Sequence, residues 1–173
     1  PSIDWIAAWG QVTERSFERM TAKPDWGIES ITCYDGRDHL VQINKKITGA
    51  FGDLIHFNVL GREPAPRKIL LVAPMSGHYS TLLRSTVNSL IIDSEIYVTD
   101  WHNARDIPVS EGSFDIEDYT KYLIDYIRFL GPDINVVAIC QPAPLALVAT
   151  AFLSQEKKHD QPKSLILMGG PID

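Results

Sequence analysis

The segment most informative about the fold is Val136-Val137-Ala138-Ile139-Cys140-Gln141-Pro142-Ala143. An apolar run typical of a buried strand leads through one polar pair directly into an Ala- and Leu-rich segment typical of a helix. Pro142 falls near the first position of that helix, where its missing N–H costs no hydrogen bond and its φ is already set. The stretch therefore predicts a sharp strand-to-helix turn with Cys140 at its centre.

This turn has the form of a nucleophile elbow, the motif usually written G-x-S-x-G. Cys140 would stand above the sheet as the nucleophile, at a helix N-terminus that favours its thiolate form. The backbone N–H of Gln141 would then donate to an oxyanion, and the small Ala138 takes the place of the first glycine. A buried structural cysteine at a strand end gives the same local pattern, because cysteine is among the most buried residue types. Spacing alone leaves both interpretations open.

Outward from this turn, strand and helix patterns alternate along the chain. Fully apolar or β-branched runs predict strands at 69–73, 95–99, 135–139 and 164–168. Amphipathic or Ala/Leu-rich segments between them predict helices at 80–90, 116–130 and 142–155. Strands separated by helices imply right-handed crossovers and a mostly parallel sheet with helices on both faces.

The first part of the chain follows a different pattern. Short runs bounded by turn signals predict strands at 31–34, 39–47 and 54–60. Before them, apolar residues that include Trp5 and Trp9 recur at helical spacing over 3–20. They predict an amphipathic helix whose apolar face packs on the core. We therefore predict an N-terminal helical segment over 1–28 and a partial α/β domain over 29–173.

The composition excludes several classes of protein. The chain has 173 residues, of which 45% are apolar and 22% charged, which is ordinary usage for a globular domain. With 16 basic and 22 acidic side chains the net charge is −6, which argues against a nucleic-acid binder, since such proteins need a basic surface. The uncharged stretch 134–155 is long enough to cross a bilayer. Gln141, Pro142 and Pro144 near its middle instead favour a strand, a turn and a buried helix, so we predict no transmembrane segment.

The remaining reactive side chains predict no second site. No His, Cys, Asp or Glu spacing resembles a metal site, and there is no glycine-rich phosphate loop, so we predict no cofactor. Cys33 is expected to be a buried small hydrophobe, and His39 and His56 are expected to be structural. His159 lies past the helix that follows the elbow, about 25 Å from the nucleophile by helical rise, which is too far for a base. Asp173 is expected to be a structural residue at a strand end.

Five segments carry further motifs: Lys-Pro-Asp-Trp-Gly-Ile at 23–28, Thr-Asp-Trp-His-Asn-Ala-Arg at 99–105, Phe-Asp-Ile-Glu-Asp-Tyr at 114–119, Ala-Ile-Cys-Gln-Pro-Ala-Pro at 138–144 and Met-Gly-Gly-Pro-Ile-Asp at 168–173. Together they resemble the intracellular polyhydroxyalkanoate depolymerases over nearly the whole chain, and the combination is specific. The related polyhydroxyalkanoate synthases share the cysteine and the Asp-Trp pair. Their elbow usually ends in Gly, where this chain has Pro142.

The resemblance implies an α/β-hydrolase fold, cut short after about the sixth strand, and a Cys–Asp–His triad. It implies hydrolysis of polyhydroxyalkanoate ester bonds through a thioester intermediate, in the bacterial cytoplasm and at the surface of storage granules. The implied partner is therefore the polymer or the granule surface. Because the triad of this fold follows the order nucleophile, acid, base, the acid and base are expected beyond residue 173. This chain alone is then expected to be a poor catalyst.

The same fold indicates where the rest of the site should lie. Its second oxyanion N–H comes from the loop after the strand at 69–73, where Met75 and Ser76 are the candidates. Candidates for the substrate mouth are His78, Trp101 and His102. The alternative for His78 is a solvated loop position, and the alternative for His102 is local hydrogen bonding.

Two other functions are compatible with the same motifs. A polyhydroxyalkanoate synthase-like acyltransferase would use Cys140 as the acyl carrier. A non-catalytic granule-binding protein would use aromatic side chains such as Trp5 and Trp9 as a binding face.

Overall fold

The computed structural model describes residues 2–75, 79–156 and 160–172, and in the first helix it describes the side chains of Trp5 and of residues 7–15. The helices are α1 (Ser2–Thr21), α2 (Arg84–Leu90), α3 (Ile116–Leu130) and α4 (Ala143–Glu156). The strands are β1 (Ser30–Thr32), β2 (Asp38–Thr48), β3 (Gly52–Val59), β4 (Arg67–Val72), β5 (Ser94–Trp101), β6 (Ile134–Ile139) and β7 (Ser164–Met168). Short 3-10 turns occupy Ser80–Leu83, Ala104–Asp106 and Val109–Glu111.

The described strands form one sheet in the order β1-β2-β3-β5-β4-β6-β7. β5, β4, β6 and β7 run parallel to one another, whereas β1, β2 and β3 form antiparallel pairs and β3 is antiparallel to β5. The predicted mostly parallel sheet with intervening helices is therefore confirmed. Parallel order places the carboxyl ends of β5, β4 and β6 at one edge, where α/β sheets bind their ligands.

The positions of the parallel strands β4, β5 and β6 inside the sheet explain their apolar sequences. Side chains such as Leu70, Leu71, Val98 and Val136 have no exposed surface, because these strands are covered on both sides. The predicted helix at 80–90 begins with a 3-10 turn at Ser80–Leu83 before α2 takes over. Otherwise the element boundaries follow the hydrophobic pattern to within a few residues.

Helix α3 has clear start and stop signals. The Asp115 carboxylate accepts hydrogen bonds from the backbone at Glu117 and Asp118, and the Asp118 side chain completes a capping box. Gly131, with φ 84°, ends the helix. Its inner face buries Tyr119, Leu123, Tyr126, Ile127 and Leu130. Ile116 is exposed because it lies at the helix start.

The expectation that the first helix packs on the core is wrong for its described side chains. Trp5 and Trp9 are 64% and 59% exposed, and Val12 is also largely exposed. The two indole rings contact each other at 5.8 Å between centroids. The amphipathic pattern therefore identified apolar positions that, where their side chains are described, the core does not cover.

Helix α4 was expected to be buried and is only half buried. Ala146, Ala149 and Leu153 lie in the core, while Leu147, Val148 and Phe152 are substantially exposed. Beside it, Ile166 and Met168 are half exposed on β7, which is the edge strand of the described sheet. This side of the described structure therefore carries exposed apolar side chains on both α4 and β7. No helix in the described part of the chain combines the length and the apolar character that crossing a membrane requires.

Candidate active site

Residues 139–143, hereafter the elbow, join β6 to α4 as the sequence predicts. Cys140 has φ 67°, and it is the only residue other than glycine with positive φ among those the structure describes. A side chain in this left-handed region costs about 1–2 kcal/mol. Such strain persists only where the surrounding structure imposes it, and it concentrates at functional sites. The Cys140 thiol is free and exposed at this turn.

Two backbone contacts and one glycine impose the conformation of the elbow. The N–H of Cys140 donates to the Met168 carbonyl at 2.7 Å, which extends the β6–β7 ladder into the turn, and Ala143 N–H donates back to the Cys140 carbonyl at 3.1 Å. A Cβ added to Gly170 would lie 2.2 Å from Ala143 Cβ and 2.6 Å from the Cys140 oxygen. Sequence reasoning missed this packing role of Gly170, although the Met-Gly-Gly-Pro motif signalled a special backbone position there.

The side chain of Gln141 reaches the loop after β4. The backbone N–H of Met75 donates to Gln141 Oε1 at 2.9 Å. No described residue accepts a hydrogen bond from the backbone N–H of Gln141 itself. The structure thus brings the elbow and Met75 together, whereas Ser76 and His78 lie outside the described residues.

A cavity of about 830 Å³ lies beside this contact. Its lining includes Met75, Tyr79, Trp101, His102, Asn103, Arg105, Phe51, Ile107 and Phe114. An adjoining cavity of about 970 Å³ shares Tyr79, Trp101 and His102 with it but does not reach Met75. We take the smaller cavity as the substrate candidate because its Met75 wall contacts the elbow, although Cys140 is not among the described residues that line either cavity.

Trp101 forms a fixed part of this cavity wall. It is buried, its indole N–H donates to the Ala73 carbonyl at 2.9 Å, and its ring lies 4.3 Å from that of Tyr119. Trp101 and His102 therefore both line the cavity, and their contact with substrate stays a prediction.

His102 also makes the local contacts that were the alternative for it. Its Nδ1 lies 3.1 Å from the Ala50 carbonyl and its Nε2 lies 3.2 Å from Asp53 Oδ2. Both ring nitrogens are therefore engaged in local contacts, and neither contacts Cys140.

Below the cavity lies a group that sequence reasoning did not find, hereafter the carboxylate junction: Asp53, Asp100, Lys23, Lys45 and His102. The two aspartates are directly opposite each other on β3 and β5, and both are buried. Lys45 Nζ lies 2.6 Å from Asp53, and Lys23 pairs with Asp100. Burial raises the pKa of Asp53, but hydrogen bonds from Lys45 and His102 outweigh it, so the net pKa is lowered. The junction is therefore an internally compensated charge cluster.

The other sequence candidates lie away from the elbow or outside the described residues. Cys33 is buried, as expected, and is a free thiol. His39 contacts Asp35 and the Leu60 carbonyl, and His56 stacks on Tyr97. His159 and Asp173 lie outside the described residues.

Neither a partner for the thiol nor a metal site is found in the described ranges. None of the His, Asp or Glu side chains described there forms a hydrogen bond or ion pair with Cys140. The same residues contain no cluster of three potential metal ligands.

Comparisons with known proteins identify the fold. No protein-family model matches this chain, and no curated protein matches it. Among solved structures, it is similar to one of two fungal esterases from Rhizomucor miehei, with a TM-score of 0.54 and 12% identity over 79% of this chain and 46% of that one. It is also similar to an α/β-hydrolase enzyme from the metagenome of Lake Arreo, Spain, with a TM-score of 0.53 and 13% identity over 94% of this chain and 52% of that one.

A third similar structure is the Francisella virulence factor BioJ, with a TM-score of 0.51 and 13% identity over 96% of this chain and 51% of that one. At such identities the likeness carries the fold alone. This chain has an α/β-hydrolase fold, as expected, and spans about half the length of the solved structures it matches.

Proposed function

We propose that this chain contributes the nucleophile of a carboxylic-ester hydrolase, and that the nucleophile is Cys140. The observation that carries the proposal is its backbone: φ 67° on an exposed cysteine between a parallel strand and a helix N-terminus. A structural cysteine gains nothing from this strain, whereas a nucleophile gains exposure above the sheet and a helix end that favours negative charge.

The proposed reaction has two displacement steps. The Cys140 thiolate attacks the ester carbonyl carbon, and the resulting oxyanion accepts hydrogen bonds from the backbone N–H groups of Gln141 and Met75. The C–O bond breaks, the alcohol leaves with the proton that the base took from the thiol, and a thioester remains. Water, deprotonated by the same base, then attacks the thioester carbonyl carbon; the C–S bond breaks, the carboxylic acid leaves and the base returns the proton to the sulfur. Because no described side chain is placed to be that base, we propose that acid and base belong to the whole protein outside the described residues.

We further propose that the substrate is polyhydroxyalkanoate, at the surface of storage granules in the bacterial cytoplasm. Two of the segments that resemble the depolymerases, 99–105 and 114–119, contribute to the lining of the cavity beside Met75. Phe51, Ile107 and Phe114 give that lining an apolar part suited to a polyester of low polarity.

Two alternatives use other features of the same chain. An acyltransferase would need the same Cys140, but Pro142 and the Gly-Gly-Pro ending favour the hydrolase by resemblance. A non-catalytic granule-binding role is favoured by the exposure of Trp5 and Trp9. These roles differ in product: a hydroxyacyl-CoA gives free CoA and polymer only with the acyltransferase.

The test uses the whole protein with Cys140→Ala and, as a matched control, Cys33→Ala. Hydrolysis of amorphous polyester should fall to background in the first variant and stay near wild type in the second. Iodoacetamide should inactivate the wild type and alkylate Cys140 before the buried Cys33. Circular dichroism checks that both variants are folded. Substantial turnover by folded Cys140→Ala would remove Cys140 from the mechanism, and retained granule binding with no turnover in the wild type would favour the binding role.

A further inference from the structure

A hydrogen bond joins the loop after β4 to the elbow, and the proposed reaction has to break it. The backbone N–H of Met75 donates to Gln141 Oε1 at 2.9 Å, between residues 66 positions apart in the chain. In α/β-hydrolases this loop supplies the second oxyanion donor. One of the two N–H groups predicted for this role, that of Met75, therefore holds a side-chain oxygen instead of a substrate oxygen.

Gln141 takes part in this arrangement twice. Its backbone N–H follows the nucleophile and donates to no described acceptor, while its side-chain oxygen accepts from Met75. A carboxamide oxygen is a carbonyl oxygen, so it satisfies an N–H donor with the same geometry as an ester carbonyl. The Gln141 side chain thus has the chemistry of the group that the site would bind.

We propose that the Gln141 side chain occupies the Met75 donor of the oxyanion site in the free protein and leaves it when an ester carbonyl binds. This inference rests on the function proposed above. In the absence of substrate, the contact keeps the Met75 N–H paired and the loop in place. During reaction the exchange is favourable, because a negatively charged oxygen accepts a hydrogen bond about twice as strongly as a neutral one. Gln141 is exposed, so its carboxamide regains hydrogen bonds from water when it is displaced.

Two substitutions of similar shape test whether the Gln141 side chain occupies the Met75 donor or only supports the loop after β4. Gln141→Met keeps the length but removes the acceptor, so substrate no longer competes for the Met75 N–H. We expect kcat/KM for para-nitrophenyl butyrate to rise about two- to tenfold, mainly through KM, which is the range one net hydrogen bond allows. Gln141→Glu places a carboxylate at the donor, and we expect kcat/KM to fall about 100-fold or more. Relative to wild type, that loss should shrink as the pH falls toward the ordinary carboxyl range near about 4.3.

The control pair carries the same chemical changes at Gln155, which is exposed on α4. Gln155→Met and Gln155→Glu should leave kcat and KM near wild type. A fall of kcat/KM in folded Gln141→Met would mean that the side chain supports the loop, and it would overturn the inference while leaving Cys140 as nucleophile. A loss in Gln141→Glu that does not change with pH would also overturn it. Turnover by Cys140→Ala would remove the proposed function and, with it, this inference.

A second measurement reports on the contact without any turnover. These 173 residues contain three methionines, Met20, Met75 and Met168, and in ¹⁵N-methionine-labelled whole protein the Met75→Leu variant identifies the Met75 amide signal. In Gln141→Met, the Met75 amide proton should move upfield and exchange faster with solvent, while Gln155→Met leaves it in place. An unchanged Met75 signal would show that the hydrogen bond is absent in solution and would overturn the proposal.

Discussion

The carboxylate junction and the elbow lie at the same edge of the sheet, but the first buries and pairs its reactive groups whereas the second exposes its thiol. At the carboxylate junction, Asp53 and Asp100 are buried side by side, and each has a lysine partner. Ser80 also donates to Asp100 at 2.6 Å. At the elbow, Cys140 is exposed, has no side-chain partner among the described residues and holds a strained backbone.

The difference distinguishes groups that stabilise the fold from a group that is placed to react. A buried charge has to be paired, because an unpaired one costs several kcal/mol. The carboxylate junction meets this requirement and leaves nothing free to react. The elbow is destabilised by the left-handed backbone that exposes the thiol, and folding does not require that exposure.

The largest effect is expected from Asp53→Asn, which removes the charge that faces Lys45 and His102. We expect the free energy of unfolding to fall by about 2–3 kcal/mol, less than for a fully buried pair, because the largely exposed Lys45 regains water. Urea unfolding of the whole protein measures the change. Asp133→Asn, at an exposed turn position, is the matched control and should change little. Equal stability of the two variants would mean that the junction is not a structural cluster.

The second largest loss of stability is expected from Gly170→Ala, a change outside the elbow that crowds two of its residues. Its new Cβ would meet Ala143 Cβ and the Cys140 carbonyl well inside van der Waals contact. We expect a loss of about 1–3 kcal/mol in the free energy of unfolding, together with lower ester hydrolysis, because helix and strand must separate.

Gly10→Ala is the control for Gly170→Ala, since a Cβ there meets no atom within 4 Å. It should leave hydrolysis unchanged and should not destabilise the protein, because Ala is the better helix former. If Gly170→Ala kept full activity and stability, the close approach at the elbow would not be needed to hold Cys140.

The sequence allowed the local part of the site to be predicted. The elbow was recognisable because an apolar strand, a polar pair and Pro142 at a helix start are contiguous. The parallel strands around it were also recognisable, because each is a contiguous apolar run. The packing of the first helix was predicted wrongly for the side chains that the structure describes. Helical periodicity identifies an apolar face, including Trp5 and Trp9, but contains no information on what covers that face.

The missed features depend on contacts between distant segments. Asp53 and Asp100 become neighbours only through the antiparallel register of β3 and β5. The hydrogen bond from Met75 to Gln141 likewise depends on how the β4 loop lies against the elbow. Hydrophobic periodicity predicts the elements and not the register between them, so these contacts need a structure.

A smaller effect is expected when the carboxylate junction is titrated. The pKa of Asp53 is lowered in the folded state, so the unfolded state binds the proton more readily. Its contribution to stability is complete above the unfolded pKa, near about 3.9, and is lost as the pH falls through the lower folded value. The stability difference between wild type and Asp53→Asn should therefore narrow below about pH 4. A difference that stays constant from neutral pH down to pH ~3 would contradict the lowered pKa.

The smallest effect, and the most direct test of strain, is the comparison of Cys140→Gly with Cys140→Ala. Both variants lack the thiol, so neither should hydrolyse esters, and they differ only in the Cβ at φ 67°. Glycine adopts this region freely but loses more backbone entropy on folding than alanine does. With relief of about 1–2 kcal/mol against that entropy, we expect Cys140→Gly to be more stable than Cys140→Ala by about 0.5–1 kcal/mol in thermal or urea unfolding. If the alanine variant is equally or more stable, the elbow is unstrained and the argument from backbone geometry to nucleophile fails, even if Cys140 is reactive. If the glycine variant is more stable, the protein retains a cysteine where glycine would fold better, as expected when the side chain is kept for its chemistry.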